Sequence, residues 1–135
     1  MSRRIADYLV PVSTPFDVTF FKAWLDFIVP LHGLTGRERT VMAHYLKKRY
    51  ELSKVIMNDA ILAQVLSDTS TKQEIMKACD LTASNLQVIL HKFKKGKVFV
   101  EGKIDPKLIP PITSEVEESG EFRLMIAFSL KKNEE

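Results

Sequence analysis

Residues 71–104 read TKQEIMKACDLTASNLQVILHKFKKGKVFVEGKI. Two helix starts are written into this stretch. Thr71 and Glu74 stand at capping-box spacing, and Thr82 follows the short link Asp80-Leu81 as a second N-cap. A short helix is therefore expected over 71–79 and a longer one over 82–95. In the second, Leu86, Ile89, Leu90 and Phe93 recur at helical spacing, the strongest periodic stripe in the chain. Gly96 sits where a helix would end, and Lys92, Lys94 and Lys95 lie where a helix dipole favours positive charge. The period then changes: 97–100 is a short strand, Glu101-Gly102 a tight turn, and 103–104 a return strand.

Working outward, Thr35 and Glu38 form another capping-box pair. Val41, Met42, Tyr45, Leu46 and Tyr50 then line one face of a helix expected over 36–52. A second apolar run covers 55–66, with Asn58-Asp59 either breaking it or capping its second half. Towards the N-terminus, Phe20, Phe21, Trp24, Phe27 and Ile28 predict an aromatic helix, capped by Asp17 or Thr19 and ended by Pro30. Downstream, Pro110-Pro111 and 114–120 read as a polar, acidic linker or loop. Residues 122–130 (FRLMIAFSL) alternate as a half-buried strand, followed by a charged tail.

Long helix, helix, short helix, tight turn, amphipathic helix and small hairpin is the element order of a winged helix-turn-helix. The expected fold is α+β, mainly α, with a small antiparallel sheet made of the wing plus a C-terminal strand. An aromatic arm would occupy 1–33 and the winged-helix domain 34–135. The expected core includes Val41, Leu46, Leu62, Leu66, Ile75, Leu86, Ile89, Leu90, Phe93 and Leu124.

Composition limits the function. The chain has 135 residues, 45% hydrophobic and 27% charged, which excludes collagen-like, coiled-coil and mostly disordered classes. Its net charge of +3 is uneven: residues 81–107 carry six basic and two acidic groups, and 108–135 carry three basic and six acidic. A single cysteine, Cys79, permits no internal disulfide and suits an intracellular setting. The start lacks the long apolar run of a secretory signal, and the most apolar window, 16–31, is too short and too charged to span a bilayer, so no membrane partner is expected. His32, His44 and His91 lack metal-ligand spacing, and Gly33 and Gly36 form no phosphate loop. No enzyme activity, cofactor, metal or small-molecule substrate is expected.

Two candidate surfaces remain. In the aromatic arm, Phe20, Phe21, Trp24 and Phe27 are candidate protein-interface anchors; packing on the chain's own core is the more ordinary alternative. On the free face of the 82–95 helix, Asn85 and Gln87 have the amides that read adenine edges, and Lys92, Lys95, Lys97 and Lys103 could contact phosphates or an acidic protein. No arginine occurs from 71 to 95, and Val88 places an apolar group on that face. A solvated lysine face without a partner would look the same.

The run 69–112, TSTKQEIMKACDLTASNLQVILHKFKKGKVFVEGKIDPKLIPPI, followed by FRLMIAFSL at 122–130, is similar to small virion proteins of crAss-like tailed phages. The matching elements are 72–75, 81–85, 94–96, 103–106 and 122–130, spread over about half the chain. The resemblance implies a non-enzymatic structural or assembly protein of the neck, or head-tail connection. Several copies would form a ring, with other virion proteins as further partners, located in the virion after assembly in the host cytoplasm. The alternative is a cytoplasmic winged-helix DNA-binding regulator or replication accessory protein, with nucleic acid as its partner.

Overall fold

Helix α3 (Gly36–Ser53) is the element on which the other parts assemble in the computed structural model, which describes residues 11–125 and 127–132. Expectations for 1–10, 126 and 133–135 lie outside the described residues. The Thr35 hydroxyl accepts the Glu38 N–H at 3.3 Å, and the Glu38 carboxylate accepts the Thr35 N–H at 3.1 Å, so the expected capping box forms. Val41, Met42, Tyr45 and Leu46 are buried along one side, as their spacing predicts, and Tyr50 is half-buried.

Helix α1 (Val18–Phe27) packs along α3. Asp17 caps it, accepting the Thr19 N–H at 2.7 Å. Pro30 does not end it; it occupies the first turn of a second short helix, α2 (Val29–His32), where a missing N–H costs nothing. Phe21, Trp24, Leu25 and Ile28 enter the same core as α3. The Trp24 indole N–H donates to the Leu108 carbonyl at 2.9 Å, and Arg39 reaches Asp26 at 2.7 Å. The arm is therefore part of the chain's own core. Phe21 at 2% exposure and Trp24 at 8% are core residues, which corrects their assignment as anchors for a partner. Because α1 and α3 share one core, no boundary at residue 33 separates two cores.

Helix α4 (Asp59–Leu66) begins only at Asn58, whose side chain accepts the Ala60 and Ile61 N–H groups. Val55 and Met57 lie in the preceding link and are exposed. Helix α5 (Thr69–Cys79) starts two residues earlier than the sequence suggests, because Asp68 caps it. Thr71 is no cap: it is 2% exposed, and its hydroxyl donates to the Val65 carbonyl at 2.7 Å, tying α5 to α4. Asp80 then turns the chain in the left-handed region at φ 52°, which Asp tolerates better than most residues. Thr82 caps helix α6 (Ala83–Lys95), accepting the Asn85 N–H at 3.1 Å.

After α6, strands β1 (Phe99–Val100) and β2 (Lys103–Ile104) pair antiparallel, with Phe99 opposite Ile104. Gly96 is right-handed at φ −80°; the chain reverses instead on Lys97 at φ 59°. Glu101 and Gly102 make the turn with positive φ. A 3₁₀ turn (Pro106–Leu108) leads to helix α7 (Ser114–Ser119), in the segment read as a linker. Thr113 caps α7, and Gly120 ends it in the left-handed region.

The molecule is thus mainly helical, with one two-stranded antiparallel sheet among the described residues. The expected C-terminal strand does not join it: no described residue of 122–130 is in a strand, and Leu124, expected in the core, is 42% exposed. Alternation shows which side chains share a face but supplies no partner, and a two-residue strand offers almost no edge to extend. Leu90, also expected in the core, is half-buried; the other expected core residues are buried.

Tyr45 is 0% exposed, its ring 4.7 Å from that of Phe99, and its hydroxyl has no hydrogen-bond partner among the described residues. Burial pushes its pKa up. Removing an unpaired buried hydroxyl removes a desolvation cost, so Tyr45→Phe should leave stability unchanged or raise it by about 1 kcal/mol in urea denaturation. A loss of that size would show a partner that the geometry lacks.

A candidate basic contact face on α6

Helix α6 places its apolar stripe inward and its polar side outward. Leu86, Ile89 and Phe93 are buried beneath it, which leaves Asn85, Gln87, Lys92 and Lys95 exposed on the outer side. Lys97 follows directly and Lys103 stands on β2; both are exposed. The six residues singled out from sequence therefore all lie on the surface, on α6 and the hairpin that follows it. Lys92 is the least free, since its ammonium lies 3.6 Å from Glu38. Lys94, Lys95, Lys97 and Lys103 have no ion pair within the chain among the described residues.

These lysines also have an intramolecular role. Lys92, Lys94 and Lys95 fall in the last turn of α6, where positive charge opposes the partial negative charge of the helix end. Val88, 56% exposed, interrupts the polar face.

The hairpin is held more tightly than its length suggests. A Cβ placed on Gly102 would lie 1.8 Å from the Ala63 carbonyl oxygen. The turn therefore rests on the backbone of α4 instead of projecting from the domain. Nothing in the local sequence announces this. Glu101-Gly102 signals a turn but not what the turn touches, and Ala63 reads as one more small residue on a helix.

Away from the hairpin turn in sequence, Phe122 joins the aromatic cluster of α1, with its ring centroid 5.3 Å from Phe20 and 5.5 Å from Trp24. Phe20 is half-buried there, while Phe27 is 57% exposed. The four arm residues thus divide: Phe21 and Trp24 point inward, Phe20 lies at the edge, and Phe27 faces outward. A groove of about 780 Å³ opens beside them, lined by Val12, Phe16, Phe20, Phe27, Val116 and Leu124 among others. Beyond Leu124, Met125 is 79% exposed, Phe128 86% and Leu130 91%.

Titratable groups are dispersed. Partial burial raises the Cys79 thiol pKa, opposing thiolate formation. Burial also lowers the His44 pKa, helped by nearby Lys47. Among the described residues, no group of three or more His, Cys, Asp or Glu side chains is arranged to hold a metal ion, and no helix is long and apolar enough to cross a membrane. Comparison of the sequence with protein-family models, with curated proteins and with solved structures gave no match.

Proposed function

We propose that this chain is a non-enzymatic assembly protein, one subunit of an oligomeric ring in the neck of a tailed-phage virion, with α5, α6 and the hairpin forming a winged helix-turn-helix scaffold. The observation that carries this reading is the C-terminal segment. Its sequence alternates as a half-buried strand should, yet Met125, Phe128 and Leu130 are exposed, with no partner among the described residues. Clustered exposed apolar residues mark contact surfaces. The resemblance of 69–112 and 122–130 to small phage virion proteins gives that contact its setting. The arm, whose Phe21 and Trp24 are buried at home, contributes at most Phe20 and Phe27. Mass spectrometry of gradient-purified particles tests the assignment: the chain should appear in several copies per particle together with connector proteins. Its absence from particles would end the assignment.

A DNA-binding regulator or replication accessory protein is the second reading. It is favoured by one observation: exposed Lys94, Lys95, Lys97 and Lys103 without ion pairs among the described residues. The hairpin turn seated on Ala63 and the absence of arginine from 71 to 95 weigh against it, because arginine is the commonest base reader. A salt-dependent gel shift decides the matter. If DNA is the partner, Lys92→Glu with Lys95→Glu should abolish the shift. No wild-type shift even at low salt would remove this reading.

A further inference from the structure

We propose that residues 122–130 form an antiparallel β-ribbon with the same segment of a second copy of this chain, in the register that sets Glu121 of one copy opposite Lys131 of the other. The inference rests on the assembly reading for the existence of a self-contact and names its joint.

The segment has the pattern of a strand and lacks a neighbour. FRLMIAFSL alternates, and 121–132 contains neither glycine nor proline. No backbone group of the described residues from 122 to 132 is hydrogen-bonded among the described residues. Met125, Phe128 and Leu130 are exposed. A strand with a free row of donors and acceptors is a template for pairing with another chain.

Charge and spacing select a second copy as that chain. With Glu121 opposite Lys131, Phe122 falls opposite Leu130, Leu124 opposite Phe128 and Arg123 opposite Ser129. Two-fold symmetry makes each pair occur twice. These apolar pairs share one face of the ribbon, and two opposite-charge pairs lie on the other. A slip of one residue sets apolar side chains against polar ones. A slip of two sets Arg123 opposite Lys131 in one direction, or Glu121 opposite Ser129 in the other. Parallel pairing in register sets Glu121, Arg123 and Lys131 each against its own kind. Of these arrangements, only the first satisfies both faces.

The charged groups are available. Lys131 is exposed and has no ion pair among the described residues. Glu121 meets Arg123 at 3.1 Å through Oε2, but that pair is exposed and contributes little, and Oε1 remains for Lys131 of the second copy. Phe122, half-buried against Phe20 and Trp24 of its own chain, fixes where each strand leaves its domain. A surface that contacts itself closes at two copies, whereas a ring needs a further contact between unlike surfaces. The ribbon therefore joins copies in pairs.

Single-cysteine chains read the register. In a Cys79→Ala background, Leu124→Cys and Phe128→Cys chains are purified separately, mixed and oxidised. Opposite Cβ atoms are about 5 Å apart, close to disulfide reach, whereas position 124 lies about 13 Å along the ribbon from its own equivalent, as does 128. The expected product is the mixed disulfide, well above its statistical share, with little of either homodimer. An excess of homodimers would mean parallel pairing, and a statistical mixture or no dimer would mean no ordered ribbon; each overturns the proposal.

Charge reversal needs no crosslink. Lys131→Glu replaces two opposite-charge pairs by two like-charge pairs and should weaken the two-copy contact about tenfold in sedimentation equilibrium. Adding Glu121→Lys to the same chain should restore it. No loss in the single variant, or an equal loss in both, overturns the register. Oligomers that persist in chains giving no mixed disulfide keep the assembly reading and remove the ribbon. The chain's absence from particles would instead remove the assembly reading and leave the ribbon standing on its mixed disulfide.

Discussion

Gly102→Ala should destabilise the protein by about 4 kcal/mol, near the upper end of single-substitution effects. Two costs coincide at this position. Its φ of +81° is unfavourable for a residue with a Cβ, and the added methyl would meet the Ala63 carbonyl oxygen at 1.8 Å, the carbonyl carbon at 2.6 Å and the Cα at 2.9 Å. All three are backbone atoms of α4 and cannot rotate aside. Relief requires moving the hairpin away from the helix, which would disturb buried Phe99 and Ile104. Gly120→Ala separates the two costs, because Gly120 has φ +70° but no atom within 4 Å of its Cβ position. That control should lose about 1 kcal/mol from backbone strain alone. With an urea m-value near 2 kcal/mol/M, the expected midpoint shifts are about 2 M and about 0.5 M. Equal shifts would mean that the hairpin turn does not rest on α4.

Phe93→Ala should cost about 3–5 kcal/mol, the usual range for removing a large buried aromatic side chain. Phe93 is 0% exposed, lies under α6, and has its ring centroid 6.5 Å from that of Phe99 on β1. It therefore joins the helix carrying the lysines to the hairpin carrying Lys103. The cavity left by its removal would loosen both elements at once. Val88→Ala, on the exposed side of the same helix, should change stability by no more than about 0.5 kcal/mol. Urea denaturation monitored by far-UV circular dichroism compares the pair. Similar midpoints for the two variants would contradict the inward orientation assigned to the stripe.

Much of the helical framework was legible because its signals are local. Thr35 with Glu38 marks the start of α3, and Thr82 marks the start of α6. The Leu86, Ile89 and Phe93 spacing identifies the buried side of α6, and with it the exposed set from Asn85 to Lys95. Errors at element ends also have local causes. Asp68 competes with Thr71 for the α5 cap and wins, which frees the Thr71 hydroxyl to bond Val65. Gly96 resembles the left-handed end of a helix, but Lys97 takes that conformation.

Features that depend on distant contacts were less legible. The seating of Gly102 on Ala63 and of the Trp24 indole on Leu108 joins segments remote in sequence, and periodicity carries no record of such pairings. The aromatic spacing of α1 was clear, but its destination was not. A stripe that fits a partner also fits α3, and only the fold shows Phe21 and Trp24 buried at home while Phe27 stays outside. For residues 122–130 the alternation likewise named a face, and the chain's own two-stranded sheet leaves the described part of that segment unpaired.

The mass of the intact protein in solution tests the central claim most directly. Native mass spectrometry and sedimentation velocity on the 135-residue chain should show one dominant closed species, with a mass that is a multiple of 15.4 kDa greater than one. A chain that remains monomeric at every concentration up to its solubility limit would contradict assembly through repeated contacts of this protein with itself.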